Sequence, residues 1–323
     1  MKRILIKSFV ILSSILCIVC NIPHPKVVNE VHGKLIEVNG HKLWVETLGK
    51  GEPLFLIAGG PGMSHSGMHS FDGLSDSCML VFIDNFGRGK SDHAKNRTEY
   101  SIKQDVFDIE GIRKALGFEK INILGHSYGS AVAQLYALEY GQHVDHLIVA
   151  HGFYSGQMWQ ESNNNWNYTF ARQMPELWDS LMVLRSKGHC SSEKIHYELY
   201  NQFPLELVHA YCPENKFVRR DSCGSTFNEE VYYQILGDDG DFVIANDISK
   251  YDIRADLSKL DMAVLIIAGR FDRSFTPKLS LEYKKYCPQA KFVMFENSGH
   301  NSQIDEPQIE FRVINDFLSN WKN

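Results

Sequence analysis

Residues 121–130 read Ile-Asn-Ile-Leu-Gly-His-Ser-Tyr-Gly-Ser, and the ten that follow read AVAQLYALEY. A short apolar run enters a G-x-S-x-G turn, Gly125-His126-Ser127-Tyr128-Gly129, and an alanine-rich stretch leaves it and stops at Gly141. The pattern predicts a buried strand, a sharp turn and a helix, with the Ser127 hydroxyl held out at the turn. Such a turn is too tight for bulk beside the serine, which accounts for the glycines two positions away on either side. A strand that feeds a helix through an exposed serine is a unit of a helix-covered parallel sheet.

The chain repeats that unit on both sides. Residues 53–58 (PLFLIA), 79–83 (MLVFI), 144–150 (VDHLIVA), 263–268 (AVLIIA) and 291–295 (KFVMF) are short and mostly apolar, as buried central strands are. Residues 34–38 and 42–47 predict a hairpin around Asn39-Gly40. Residues 101–116 carry Ile102, Val106, Ile109, Ile112 and Leu116 at helical spacing, with Ser101 as N-cap and Gly117 as stop. From about 153 to 254 the strand pattern lapses. That stretch holds Trp159, Trp166, Trp178 and an asparagine run at 163–165, and it reads as helices and loops. A final helix is expected over 308–321. The expectation is an α/β chain with a mostly parallel, doubly wound sheet. Its core is split into 27–152 and 255–323 by a helical cap at 153–254.

Composition narrows the function classes. The 323 residues are 44% hydrophobic, 22% charged and 12% aromatic, which excludes a disordered or collagen-like chain. The net charge of −6, with no basic cluster beyond pairs such as Arg219-Arg220 and Lys284-Lys285, argues against nucleic acid as a partner. Lys2, Arg3 and Lys7 precede the apolar run FVILSSILCIVC at 9–20, which is too short to span a bilayer comfortably and fits a secretory leader over 1–22. Cleavage near 17–22, lipidation at Cys17 or Cys20, and an uncleaved anchor are the three fates of such a leader; each exports the chain. No later segment is apolar enough to cross a membrane. Without the leader five cysteines remain, Cys78, Cys190, Cys212, Cys223 and Cys287, so at least one stays unpaired within the chain. An oxidising compartment would permit one disulfide among Cys190, Cys212 and Cys223. No cysteine pair sits with histidine at zinc spacing, and neither a metal nor another cofactor is expected.

A serine is a weak nucleophile without a base. Gly269-Arg270-Phe271-Asp272 directly follows the strand at 263–268, and Gly299-His300 follows the strand at 291–295. The order serine, acid, histidine assigns His300 as general base and Asp272 as the group that orients it. Asp252 and Asp261 stand too early in the chain for that place. Gly59-Gly60-Pro61-Gly62 follows the strand at 53–58. A backbone N–H of Gly59 or Gly60, with that of Tyr128, would make an oxyanion hole. The loop Asp84-Asn85-Phe86-Gly87-Arg88-Gly89-Lys90-Ser91 reads as structural, with Phe86 as a pocket wall. His65 and His69 follow the glycine loop and read as ordinary residues first, with substrate contact as the lesser alternative, and His143, His146 and His151 read as packing or surface.

With these residues in view, the stretch from about 34 to 320 resembles the α/β-hydrolases, and among them the proline iminopeptidases, serine aminopeptidases that release an N-terminal residue. The likeness rests on GGPG at 59–62, DNFGRGKSD at 84–92, GHSYGS at 125–130, GRFD at 269–272 with Thr276-Pro277, and SGH at 298–300. It implies a small peptide or small acyl substrate and no cofactor. The family usually has a histidine before GGPG, where this chain has Ala58. The family's lid glutamates hold the substrate's α-ammonium; before Phe242 this chain has Asp241, and Glu214 is the candidate for a second carboxylate. A carboxylesterase or lactonase on the same scaffold is the alternative, since neither needs to pair a cation. A binding protein that kept the pocket is the third reading.

Overall fold

The computed structural model describes residues 32–211 and 226–320. The leader at 1–22, Glu214, Cys212 and Cys223 lie outside the described residues. Eight strands form one sheet in the order β1-β2-β4-β3-β5-β6-β7-β8. They are β1 (His32–Val38), β2 (His41–Leu48), β3 (Pro53–Ile57), β4 (Met79–Ile83), β5 (Ile121–His126), β6 (Val144–Ala150), β7 (Ala263–Gly269) and β8 (Lys291–Phe295). β1 and β2 are antiparallel, and every pair from β4 through β3 to β8 is parallel.

The alternation of side chains along each strand builds two apolar layers. Phe55 and Ile57 of β3 pack with Val106, Ile109 and Ile112 on one face, while Leu54 and Leu56 pack with Phe71, Leu74, Ile314 and Phe317 on the other. Helices therefore cover both faces, as a parallel sheet requires. Helix α1 (Ile102–Leu116) starts where the Ser101 hydroxyl accepts from Gln104 N–H and stops at left-handed Gly117. Helix α2 (Tyr128–Glu139) leaves β5 through Ser127.

Between β6 and β7 the chain runs through helices α3 (Gly156–Gln173), α4 (Pro175–Ser186), α5 (Lys194–Tyr200), α6 (Glu206–His209), α7 (Glu229–Leu236) and α8 (Asn246–Lys250). This segment has an apolar cluster of its own, Phe170, Leu181, Tyr200, Phe203 and Val208, with Trp166, Trp178 and Phe242 packed against it. Cys78, Cys190 and Cys287 are free thiols, and burial pushes those of Cys78 and Cys287 up to about 11.

One buried group strains the fold. Glu310, on the C-terminal helix Pro307–Asn320, is fully buried, and burial pushes its carboxyl from 4.5 up to about 8, Ser302 pulling weakly the other way. Below about pH 4.5 the group is neutral in both the folded and the unfolded chain. As the pH rises to 8 the unfolded chain ionises while the fold keeps the proton, so stability is lost across that window. Glu310→Gln removes this linkage. Its stability gain over the parent should grow between pH 5 and pH 8 to on the order of 3 kcal/mol, measured as urea midpoints at the two values. Parallel pH curves for the two proteins would show that the carboxyl ionises freely in the fold.

Candidate active site

Ser127 lies in the left-handed region (φ 53°, ψ −119°), between the last residue of β5 and the first of α2. Two close approaches enforce this turn. A Cβ on Gly125 would stand 2.2 Å from the Gly129 carbonyl oxygen, and one on Gly129 would stand 2.2 Å from that of Ile57. The glycines thus let α2 press against the carboxyl ends of β3 and β5, and the serine takes up the strain, as reactive residues often do. Ser127 N–H donates to the Ala150 carbonyl at 3.0 Å, which ties the turn to β6.

Asp272 and His300 come together behind it. His300 Nδ1–H donates to Asp272 Oδ2 at 2.8 Å, and Asp272 Oδ1 accepts from the backbone N–H groups of Ser274 and Phe275 at 2.8 and 3.1 Å. Burial alone would raise this carboxyl. The charge and hydrogen bonds offered by His300 and His151 hold it well below the usual carboxylate range. Asp272 is therefore an anion at any working pH and fixes the proton of His300 on Nδ1, leaving Nε2 to act as base. Asp252, the rival acid, is paired with Arg254 at the surface.

Ser127 and His300 line one cavity of about 130 Å³ together with Gly60, Pro61, Trp159, Trp166, His209, Tyr232, Asp241 and Phe275. The loop after β3 lies against the nucleophile: a Cβ on Gly59 would come within 2.9 Å of Ser127 Cβ. The loop closes with a Met63 N–H bond to the Gly60 carbonyl at 2.9 Å. Gly59, Gly60 and the first residue of α2, Tyr128, thus border the serine, with two backbone segments from which an oxyanion could be met.

Asp241 is the sole carboxylate lining this cavity among the described residues. It accepts from Tyr232 Oη–H at 2.8 Å and from Tyr233 Oη–H at 3.0 Å. Burial pushes it up to about 6 even though the two hydroxyls pull it down. Glu193, Glu198, Glu206, Glu229 and Glu230 are all exposed. Three side chains one face apart on α3 hold the backbone around Asp241. Gln160 donates to the Phe242 carbonyl at 2.7 Å, Asn163 to that of Gly240 at 2.6 Å and Asn167 to that of Asp241 at 3.0 Å.

Several sequence expectations need correction. Phe86 does not line the cavity: it stacks on His41 at 4.1 Å and packs edge-on against Tyr100. His65 and His69 are fully buried against Glu46, Asp84 and Asp72, away from the cavity. His151, read as packing, adjoins the acid of the site. Its Nε2 accepts from Ser302 N–H at 3.2 Å, which leaves Nδ1–H to donate to Asp272 Oδ2 at 3.4 Å. His209, from α6, stacks on His300 with ring centroids 4.6 Å apart, and its carbonyl accepts from His300 N–H at 2.7 Å. Burial and the His300 charge push His209 down to about 3, so it stays neutral when His300 is protonated. Only left-handed φ at His151 (48°) marks it as special, and no sequence pattern shows that.

A buried acid, an oriented imidazole and a strained serine at the mouth of a parallel sheet define a serine hydrolase. The alpha/beta hydrolase fold family matches residues 52–307, and the chain belongs to it. It is 25% identical over 272 residues to the proline iminopeptidase of Heyndrickxia coagulans, covering 84% of this chain and 92% of that one. To the proline iminopeptidase of Saccharolobus solfataricus it is 27% identical over 298 residues, covering 90% and 92%. The crystal structure of the Mycobacterium smegmatis proline iminopeptidase superposes with a TM-score of 0.71 at 19% identity over 90% of this chain and 98% of that one.

His151 is a positioning residue for Asp272. His151→Leu removes one of four donors to that carboxylate and should lower kcat about tenfold with KM unchanged, whereas His151→Gln, which keeps a donor, should recover most of the loss. Steady-state kinetics on variants with matched melting curves decide it, and equal losses in both variants would mean that His151 only fills space.

Proposed function

We propose that this chain is a serine aminopeptidase of the proline iminopeptidase type, which releases a small N-terminal residue, proline above all, from peptides. The observation that carries the reading is Asp241, a carboxylate in the same small cavity as Ser127 and His300. A free α-ammonium is the group such a carboxylate recognises, and an ester or lactone substrate has none to offer. The relatives named above, alike over most of the chain, support the same substrate class.

In this reading Ser127 Oγ attacks the carbonyl carbon of the N-terminal residue while His300 Nε2 takes its proton. The oxyanion is met by the N–H of Tyr128 and that of Gly60 or Gly59. His300 then returns the proton to the departing amine, and a water deprotonated by His300 hydrolyses the acyl-enzyme. Asp241 holds the α-ammonium at a fixed distance from Ser127, so the carbonyl of the first peptide bond, not one further along, meets the nucleophile. The aromatic wall of Trp159, Trp166 and Phe275 encloses a small apolar side chain or ring. We also propose export through the leader at 1–22, supported by its basic start and short apolar run.

The test sets proline and alanine β-naphthylamides against their N-acetylated forms, a p-nitrophenyl ester and a simple lactone. Ser127→Ala should abolish every activity. Asp241→Asn should lower kcat/KM for the free-amine amides by about 30-fold or more and leave the ester nearly untouched. Ester turnover without amide cleavage would overturn the peptidase reading in favour of an esterase.

Because Asp241 loses its charge as the pH falls through about 6, KM for the amine substrates should rise below that value, with no matching rise for the ester. A KM profile flat from pH 5 to 8 would remove Asp241 from ammonium recognition.

A further inference from the structure

We propose that His209, the imidazole that the cap sets against the catalytic base, is a further catalytic residue: it holds the water that hydrolyses the acyl-enzyme. The proposal rests on the triad of Ser127, Asp272 and His300 and not on the choice between amide and ester substrates. His209 closes the short helix α6, and its ring lines the cavity that Ser127 and His300 line. It is the one other imidazole to do so among the described residues. The ring stacks on that of His300, with centroids 4.6 Å apart and planes 23° apart, and Trp166 packs edge-on against it at 4.8 Å. The His209 backbone is bonded at both ends, its N–H to the Leu205 carbonyl at 2.9 Å and its carbonyl to His300 N–H at 2.7 Å. No described residue hydrogen-bonds either nitrogen of its ring, so both are left for a molecule in the cavity.

In the second half of the reaction one water must meet three groups at once. Its oxygen faces the acyl carbon on Ser127, one proton goes to His300 Nε2, and the other proton needs an acceptor. A neutral imidazole supplies that acceptor through its lone pair. Nearly parallel rings at the observed separation set their facing atoms about 4–5 Å apart, and a water with two bonds of about 2.8 Å, meeting near the tetrahedral angle, spans that gap. With both protons engaged, a lone pair of the oxygen is free to aim at the acyl carbon. The water oxygen bonds to that carbon as His300 Nε2 takes its proton. The tetrahedral intermediate then collapses, the bond from carbon to Ser127 Oγ breaks, and His300 returns the proton to Oγ. His209 gains and loses no proton in this sequence; it orders the nucleophile before the attack.

Three features suit His209 to this place. Burial and the His300 charge push it down to about 3, so it neither takes the proton in place of His300 nor repels the imidazolium that forms there. Its position is tied to the base, because a Cβ on Gly299 would stand 2.2 Å from the same carbonyl oxygen that His300 N–H meets. The neighbouring candidates are engaged. His151 is bonded to Ser302 and Asp272, and His126 Nε2–H donates to the His300 carbonyl at 3.0 Å. Of the tyrosine hydroxyls in the cavity, Tyr200 donates to Asn167 and Tyr232 to Asp241. Since α6 belongs to the segment between β6 and β7, the hydrolytic half of the reaction needs the cap in place, whereas Ser127, Asp272 and His300 all come from the strand ends.

The test uses a p-nitrophenyl acyl ester, whose leaving group departs as an anion and needs no proton. Release of p-nitrophenolate with enzyme in excess gives acylation. Loss of the acyl adduct, followed by intact mass in quenched samples, gives deacylation. His209→Phe keeps the ring stack and loses the nitrogens, so it should acylate at the parental rate and deacylate at least about tenfold more slowly. His209→Gln, which keeps an acceptor, should recover most of that loss. An equal fall in both steps would overturn the proposal and make His209 a prop for His300. Parental rates in both steps would overturn it by showing that the ring only packs, and so would His209→Gln no faster than His209→Phe. Should His209→Phe fail to fold, His209→Leu is read in the same way. Turnover surviving in Ser127→Ala would overturn the triad itself, which separates that failure from a failure of the water site.

Discussion

The site depends on one buried ion pair. Arg88 grips Asp105 with both ends of its guanidinium, at 2.6 and 2.8 Å, and the two side chains are almost wholly enclosed. The same guanidinium donates from Nε to the Pro61 carbonyl at 2.5 Å and from Nη1 to that of Phe86 at 2.7 Å, while Tyr128 Oη–H donates to Asp105 at 2.7 Å. Four segments are thereby joined: the glycine loop after β3, the loop after β4, α1 and the start of α2. These include both backbone segments that border Ser127. Burying two charges is expensive, and this pair is held because each guanidinium nitrogen has an acceptor and both carboxylate oxygens have donors. Losing one partner would strand the other and loosen the loop and the turn together, so the pair fixes geometry more than it adds stability.

The segment between β6 and β7 does for the substrate side what Arg88 does for the nucleophile side. The carboxylate proposed for recognition, Asp241, sits in a short turn whose three carbonyls are held by Gln160, Asn163 and Asn167 of α3. Arg185 braces the same turn through a two-pronged pair with Asp239 at 2.6 and 2.8 Å. Contacts across to the strand ends are apolar as well as polar: Trp159 packs edge-on against Phe275 and Tyr211 against Phe271. Trp166 Nε1–H donates to Ser274 Oγ at 2.8 Å, Arg273 donates to the Leu207 carbonyl, and His209 meets His300 through both ring and carbonyl. The catalytic imidazole thus touches the cap directly, and a shift of α6 would be felt at the base.

The strands were legible because each is short, apolar and bounded by turn residues, and a parallel sheet buries both faces of such runs. The first two helices were legible because Ser101 and Gly117, and the glycines around Ser127, mark their ends with residues that solve a local backbone problem. Ser127 stands directly after β5, and Asp272 and His300 stand in the short loops after β7 and β8, so all three lie at the carboxyl edge of one parallel sheet. Phe86 was misplaced because a phenylalanine in a loop carries no sign of which neighbour it will stack on; here His41, from a strand far away in sequence, decided it.

What the sequence by itself determined is therefore local: which segments are strands, where helices start, and which residues stand at strand ends. The glycine at 125 and the cap at Ser101 act through the backbone of their own few residues, and such constraints survive in the one-dimensional pattern. What only the tertiary structure decided is which side chains share an enclosed space. His151, His209 and the Glu46–His65–His69 group read as ordinary residues in sequence. Their character comes from desolvation and from carboxylates brought in from other strands, and both exist only once the chain has packed.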